Sequence, residues 1–226
     1  MRLSIPARKS KLIKAFLVFI LIYSFSDGLA MSRKGQIGIT GSILSGFPSG
    51  EFADLTNTGL GVGLELEYAA WPQISLGILV NYLPFQGADQ ESFLVLSEDW
   101  ATLSYGAFGK YCFNPEKELV PYFKIGALVT SYDTDVFRPE SPASDTDQTL
   151  DTSFSGSGKL TATGGVGIRW DISERVGLAG ELLFTRFFDV VHDVRGIRRE
   201  VNTQYVSFNL SAALYLGKRK ELPVKQ

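Results

Sequence analysis

The residues able to do chemistry are few. The 226-residue chain has one histidine, His192, and one cysteine, Cys112, which excludes a multi-histidine metal site, a multi-cysteine zinc site and an internal disulfide. Glu65 and Glu67 lie two apart, ~7 Å along an extended chain. Paired carboxylates of that kind serve glycosidic acid–base chemistry, but a structural charge pair has the same spacing. Between Tyr132 and Gly158 stand Asp133, Asp135, Glu140, Asp145, Asp147 and Asp151 against Arg138 alone. Calcium favours clustered carboxylates, yet the spacing of an EF-hand with its terminal glutamate is missing, so a solvated acidic loop is the expectation. Arg195, Arg198 and Arg199 carry forked donors suited to phosphate oxygens. The run Gly164-Gly165-Val166-Gly167 is not a nucleotide loop, because no helical pattern follows it. No cofactor is expected. A net charge of -2 provides no basic field for nucleic acid.

The elements that position these residues have a period of two. Alternation runs through eight segments, at about 35–44, 60–71, 74–83, 100–113, 120–131, 159–170, 176–187 and 205–216. In the second, Val62, Leu64, Leu66 and Tyr68 share one face while Gly61, Gly63, Glu65 and Glu67 share the other. Short links follow the even segments, and long polar links follow the odd ones. A meander of that form is an up-and-down antiparallel barrel with its long loops at one end.

Residues 1–30 read as an address. Arg2, Arg8, Lys9, Lys11 and Lys14 precede an apolar run, Ala15 to Phe25, of signal-peptide length and too short to span as a helix. Small residues at Gly28 and Ala30 predict cleavage after Ala30. The remaining chain, 31–226, is expected to be one barrel domain with a short polar tail, holding 17 basic and 23 acidic residues.

Alternation alone allows two barrels. A soluble ligand-binding barrel turns its apolar face inward, whereas a membrane barrel turns it toward lipid. The polar faces here are mostly Gly, Ser and Thr with few charges, unlike a solvated exterior. Tyr68, Trp71, Tyr82, Tyr111, Phe113, Trp170 and Phe184 gather near segment ends on the apolar faces, as interfacial girdles do. The expected fold is therefore all-β, an eight-stranded antiparallel up-and-down transmembrane β-barrel. Glu65, Glu67, Glu181, Lys110, Lys124 and Arg169 then fall inside. Three acids and three bases in a confined space predict a closed ion-pair network that plugs the lumen, since a selective pore would carry an excess of one sign.

Three stretches carry a family resemblance: Pro121-Tyr122-Phe123-Lys124-Ile125-Gly126-Ala127, Thr163-Gly164-Gly165-Val166-Gly167-Ile168-Arg169-Trp170, and Val206-Ser207-Phe208-Asn209-Leu210-Ser211. With them the chain, over about 35–217, resembles the small outer-membrane β-barrel proteins related to the transmembrane domain of outer membrane protein A. The resemblance implies an outer-membrane location and a structural or surface-interaction role through the long loops. It implies as partners the outer-membrane lipid, lipopolysaccharide (with Arg195, Arg198 and Arg199 at the rim), the barrel-insertion machinery and host or environmental surface ligands. Narrow porin-like transport of small solutes is the alternative, and a lipid-modifying enzyme stands behind it. Outer-membrane lipid A deacylases carry a His-x-Ser pattern, whereas this chain reads His192-Asp193-Val194. It also departs from the family where Tyr215-Leu216 is followed by a basic tail instead of ending on an aromatic residue.

Overall fold

The computed structural model describes residues 31–87, 97–137, 152–188, 191–194, 197–200, 203–217 and 220–221. The expected leader, residues 1–30, and the acidic stretch 138–151 lie outside them, as does Arg195. Eight strands form a closed barrel: β1 (Ile37–Ser49), β2 (Thr56–Ala69), β3 (Ile74–Gly87), β4 (Ser97–Cys112), β5 (Leu119–Phe137), β6 (Thr152–Asp171), β7 (Val176–Phe187) and β8 (Gln204–Leu216). Each pairs antiparallel with its sequence neighbours, and β8 closes onto β1 over thirteen residue pairs from Gln204↔Ser49 to Leu216↔Ile37. The up-and-down meander read from the alternation is the fold.

Register fixes the dimensions. A circuit of directly opposed residues from Ile37 passes through Tyr68, Leu76, Gly109, Ile125, Gly164, Phe184 and Val206. It returns to β1 at Phe47, ten residues beyond its start. With ~3.3 Å rise per residue and ~4.8 Å between strands, that stagger tilts the strands by about 41° and sets a backbone radius of about 8 Å. A cylinder that narrow is filled by its own side chains.

Side chains follow the pleat. Leu64, Ile78 and Leu210 are 58%, 60% and 57% exposed, while Glu65, Leu79 and Asn209 beside them are buried. The outward rows contain almost only apolar residues for about nine to eleven positions along each strand, which at this tilt covers a band of about 25 Å, the apolar thickness of a membrane barrel. All seven expected girdle aromatics point outward. Tyr68, Trp71, Tyr111, Phe113 and Trp170 cluster at the short-turn end. Among the described residues no helix is long and apolar enough to cross a membrane; the crossing is made by strands.

Several elements extend into stretches expected to be loops. β5 continues to Phe137 and β6 begins at Thr152, so Asp133 and Asp135 belong to a strand instead of an acidic loop. The last long link holds a separate hairpin, Val191–Val194 paired with Ile197–Glu200, in which Arg199 lies opposite His192. The first long link begins with a single 3-10 turn, Gly50–Asp54. In each case local pairing gives backbone groups the partners that an irregular loop would have to seek from water.

Candidate functional site: a filled lumen

The interior is layered along the barrel axis. Its charged middle is built by positions that register brings side by side. Lys110 of β4 sits directly opposite Lys124 of β5 on the same inward face, where two like charges repel. Glu65 resolves the repulsion by placing one carboxylate oxygen on each: Oε2 accepts from Lys110 Nζ at 3.0 Å, and Oε1 accepts from Lys124 Nζ. Glu181 accepts from Lys124 at 3.2 Å, from the Tyr122 hydroxyl at 2.7 Å and from Asn209 Nδ2 at 3.3 Å. Glu67 lies 3.2 Å from Lys110 as an ion pair, and its Oε2 accepts no hydrogen bond. Both lysines also lie near the face of the Phe108 ring, at 5.0 and 4.8 Å from its centre.

Five of the six expected lumen charges therefore converge, and the sixth does not join them. Arg169 turns toward the short-turn mouth and donates from Nε to Asp171 at 2.9 Å. Alternation leaves Asp171 in the short link after the sixth segment; in the structure it is the last residue of β6 and is buried. Its second cation, Arg33, precedes β1 and bridges to it at 2.8 Å. The described interior thus pairs Glu65, Glu67, Glu181 and Asp171 with Lys110, Lys124, Arg169 and Arg33. Between the two groups lies a cavity of about 10 Å³ lined by Thr40, Lys110, Tyr122, Arg169, Ser211 and Tyr215 among others, room for about one water.

Toward the long-loop end the filling changes character. A hydroxyl ladder runs from Ser104 to Thr130 to Thr161 at 2.8 Å per step, beside an apolar layer of Leu79, Phe108 and Leu128. Above it, Leu44, Phe52, Leu83, Phe85, Trp100, Tyr132, Phe187 and Tyr205 close the mouth. Phe52, delivered by the 3-10 turn and wholly buried, meets Phe85 and Trp100 edge-on with ring centres 5.1 Å apart. This corrects the expectation of an interior of small and charged groups. The inward glycines are small because neighbours are large: a Cβ on Gly167 would lie 2.4 Å from the Tyr122 ring, and one on Gly77 would lie 2.5 Å from the Phe108 ring. The signal was present in the inward parity of Tyr122, Phe108 and Phe85, but register was needed to see which glycine faces which ring.

Cys112 is buried beside Val120 and Tyr122. Arg198, Arg199 and His192 lie on the separate hairpin at the long-loop end. Among the described residues no group of three or more His, Cys, Asp or Glu is arranged to hold a metal ion.

No protein-family model matches the chain, and no curated protein matches it in sequence. Solved structures match it in shape. Neisserial surface protein A aligns over 81% of this chain and 97% of its own, with a TM-score of 0.53 at 11% identity. A major outer membrane protein of Thermus thermophilus aligns over 80% and 99%, with a TM-score of 0.54 at 13% identity. The outer membrane protein OprG of Pseudomonas aeruginosa aligns over 83% and 99%, with a TM-score of 0.50 at 10% identity. The fold is that of a small outer-membrane β-barrel. At these identities the likeness concerns the path of the backbone. The lipid-facing exterior adds an independent physical reason: a closed barrel with this apolar band belongs in an outer membrane.

Proposed function

We propose that this protein is a non-enzymatic, non-conducting integral outer-membrane barrel, exported by its first thirty residues, whose lumen is packed for stability and whose long-loop end makes surface contacts. The supporting observation is the continuous filling of the interior. An ion entering from the long-loop mouth would meet Phe52, Phe85 and Trp100, and one entering from the other would meet Arg33, Asp171 and Arg169. Among the described residues neither side offers a hydrated path, and the balance of signs offers no selectivity. All eight seams carry at least ten opposed pairs, which supports this reading over the transport alternative. In planar bilayers the purified barrel is expected to show no steady conductance above the lipid background; large, stable open steps would overturn the reading.

The contact role rests on the loop end. Arg198 and Arg199 belong to the hairpin strand 197–200 at the long-loop end, Arg195 lies between its two strands in sequence, and the forked donors of arginine suit lipopolysaccharide phosphates. Replacing all three by Gln is expected to weaken binding to lipopolysaccharide-coated surfaces several-fold and to flatten its salt dependence. Unchanged binding would remove these arginines from the interface.

A further inference from the structure

The short-turn mouth is closed by residues outside the barrel strands. Gly35, with φ of +84°, lets the chain before β1 turn beneath the opening, and its backbone N–H donates to the Ala69 carbonyl at 2.7 Å. The turn delivers Arg33, 3% exposed. Its guanidinium grips Asp171 with two nitrogens, Nε to Oδ2 at 3.1 Å and Nη2 to Oδ1 at 2.8 Å. It also donates to Gln36 Oε1 at 3.1 Å, to the Glu174 carbonyl at 3.2 Å and to the Ser173 carbonyl at 3.4 Å. The Tyr215 ring centre lies 3.5 Å from its central carbon. Gln36 in turn donates to the carbonyl of Gly217, just past β8, at 3.0 Å. Met31–Ser32 pairs with Lys220–Glu221 directly beneath the same seam.

The partners share one property. Asp171 ends β6, Ser173 and Glu174 belong to the β6–β7 turn, Tyr215 to β8, and Gly217 directly follows β8, all roughly 140 to 180 positions away in sequence. None is in place until the last strand lies beside the first. From this juxtaposition of Arg33, Gln36, Asp171, Tyr215 and Gly217 across the β8–β1 seam, we propose that the segment before β1 is a closure clasp. The side chains of Arg33 and Gln36 lock the barrel after the final strand pairs with the first, and they contribute nothing to the steps before.

Such a clasp has a kinetic signature. Contacts formed only after the rate-limiting step slow unfolding and leave folding unaffected. Arg33→Ala suits the test because Asp171 keeps Arg169 as its partner, so no carboxylate is stranded. Folding into lipid vesicles from urea, and unfolding on return to urea, are followed by the gel-mobility difference between folded and boiled forms. The expected result is an unfolding rate raised on the order of 10- to 100-fold with a folding rate within about twofold of the parent. Gln36→Ala, which removes the link to Gly217 and one of the contacts to Arg33, is expected to show the same pattern more weakly and serves if Arg33→Ala does not fold. Arg175→Ala, an exposed neighbour, is expected to change neither rate. Folding slowed as much as unfolding is accelerated would place these contacts in the folding nucleus and overturn the proposal. An unchanged unfolding rate in both variants would overturn it as well, leaving Arg33 a plug of the mouth and no more.

Discussion

Replacing Lys124 by methionine is expected to destabilise the folded barrel by about 3–5 kcal/mol. Lys124 is fully buried, and its ammonium lies between Glu65 and Glu181. Methionine preserves most of the stem's volume, so the packing loss is small and the cost comes from electrostatics. Glu65 keeps Lys110, but Glu181 retains only neutral donors at short range, with Lys110 3.9 Å away. Restoring balance is the control. Glu181→Gln combined with Lys124→Met removes the stranded acid with its base, leaves Glu65 on Lys110, and is expected to recover more than half of the loss. That non-additivity is the mark of groups that share a network. Equilibrium unfolding in urea, read by gel mobility or by far-UV circular dichroism, measures both. A single-variant loss below about 1 kcal/mol would mean that water reaches this layer and screens the charges. The packed-lumen reading would fall with it.

The second large effect concerns the opposite face of the barrel wall. Leu64, adjacent to Glu65, points outward near the middle of the apolar band. Leu64→Arg is expected to cost about 2–4 kcal/mol in a lipid bilayer, whereas arginine at an outward position near the rim should cost about 0–1 kcal/mol. Arg186 shows that the rim tolerates such a charge: it is exposed on β7, one position from the strand's end. A water-soluble barrel would respond in the opposite way, since arginine at a solvated site is nearly neutral. Measuring both variants in vesicles therefore tests the side on which lipid lies, independently of any lumen property.

Much of this architecture is legible in the chain because a strand's side-chain period is an integer. Once Leu64 is apolar and Glu65 is not, each later residue of β2 has its face decided, and the same holds for Ile78 and Leu210 in their strands. Chain length between alternating segments supplies the rest, since short links force antiparallel neighbours. The lumen was only partly legible. Parity marks Lys110, Lys124 and Glu181 as inward, but it cannot tell which of three glutamates reaches which lysine. Parity likewise puts Phe108, Tyr122 and Trp100 on the polar face, but it does not say which glycines leave room for those rings. Arg33 and Phe52 were missed for a different reason. Neither lies in a period-two segment, and each enters the barrel through a turn in the chain before or after β1.

What the residues alone determine is the one-dimensional part: eight crossings, their faces, their antiparallel order and the bilayer they suit. Those follow from local geometry and from the free energy of placing apolar or polar groups in lipid. Which charges pair, where Arg169 turns and how each mouth is sealed were decided only in three dimensions. They depend on the ten-residue stagger of the closed sheet. Closure sets one strand against another at a register that no single strand encodes, and it brings together groups that are remote in sequence.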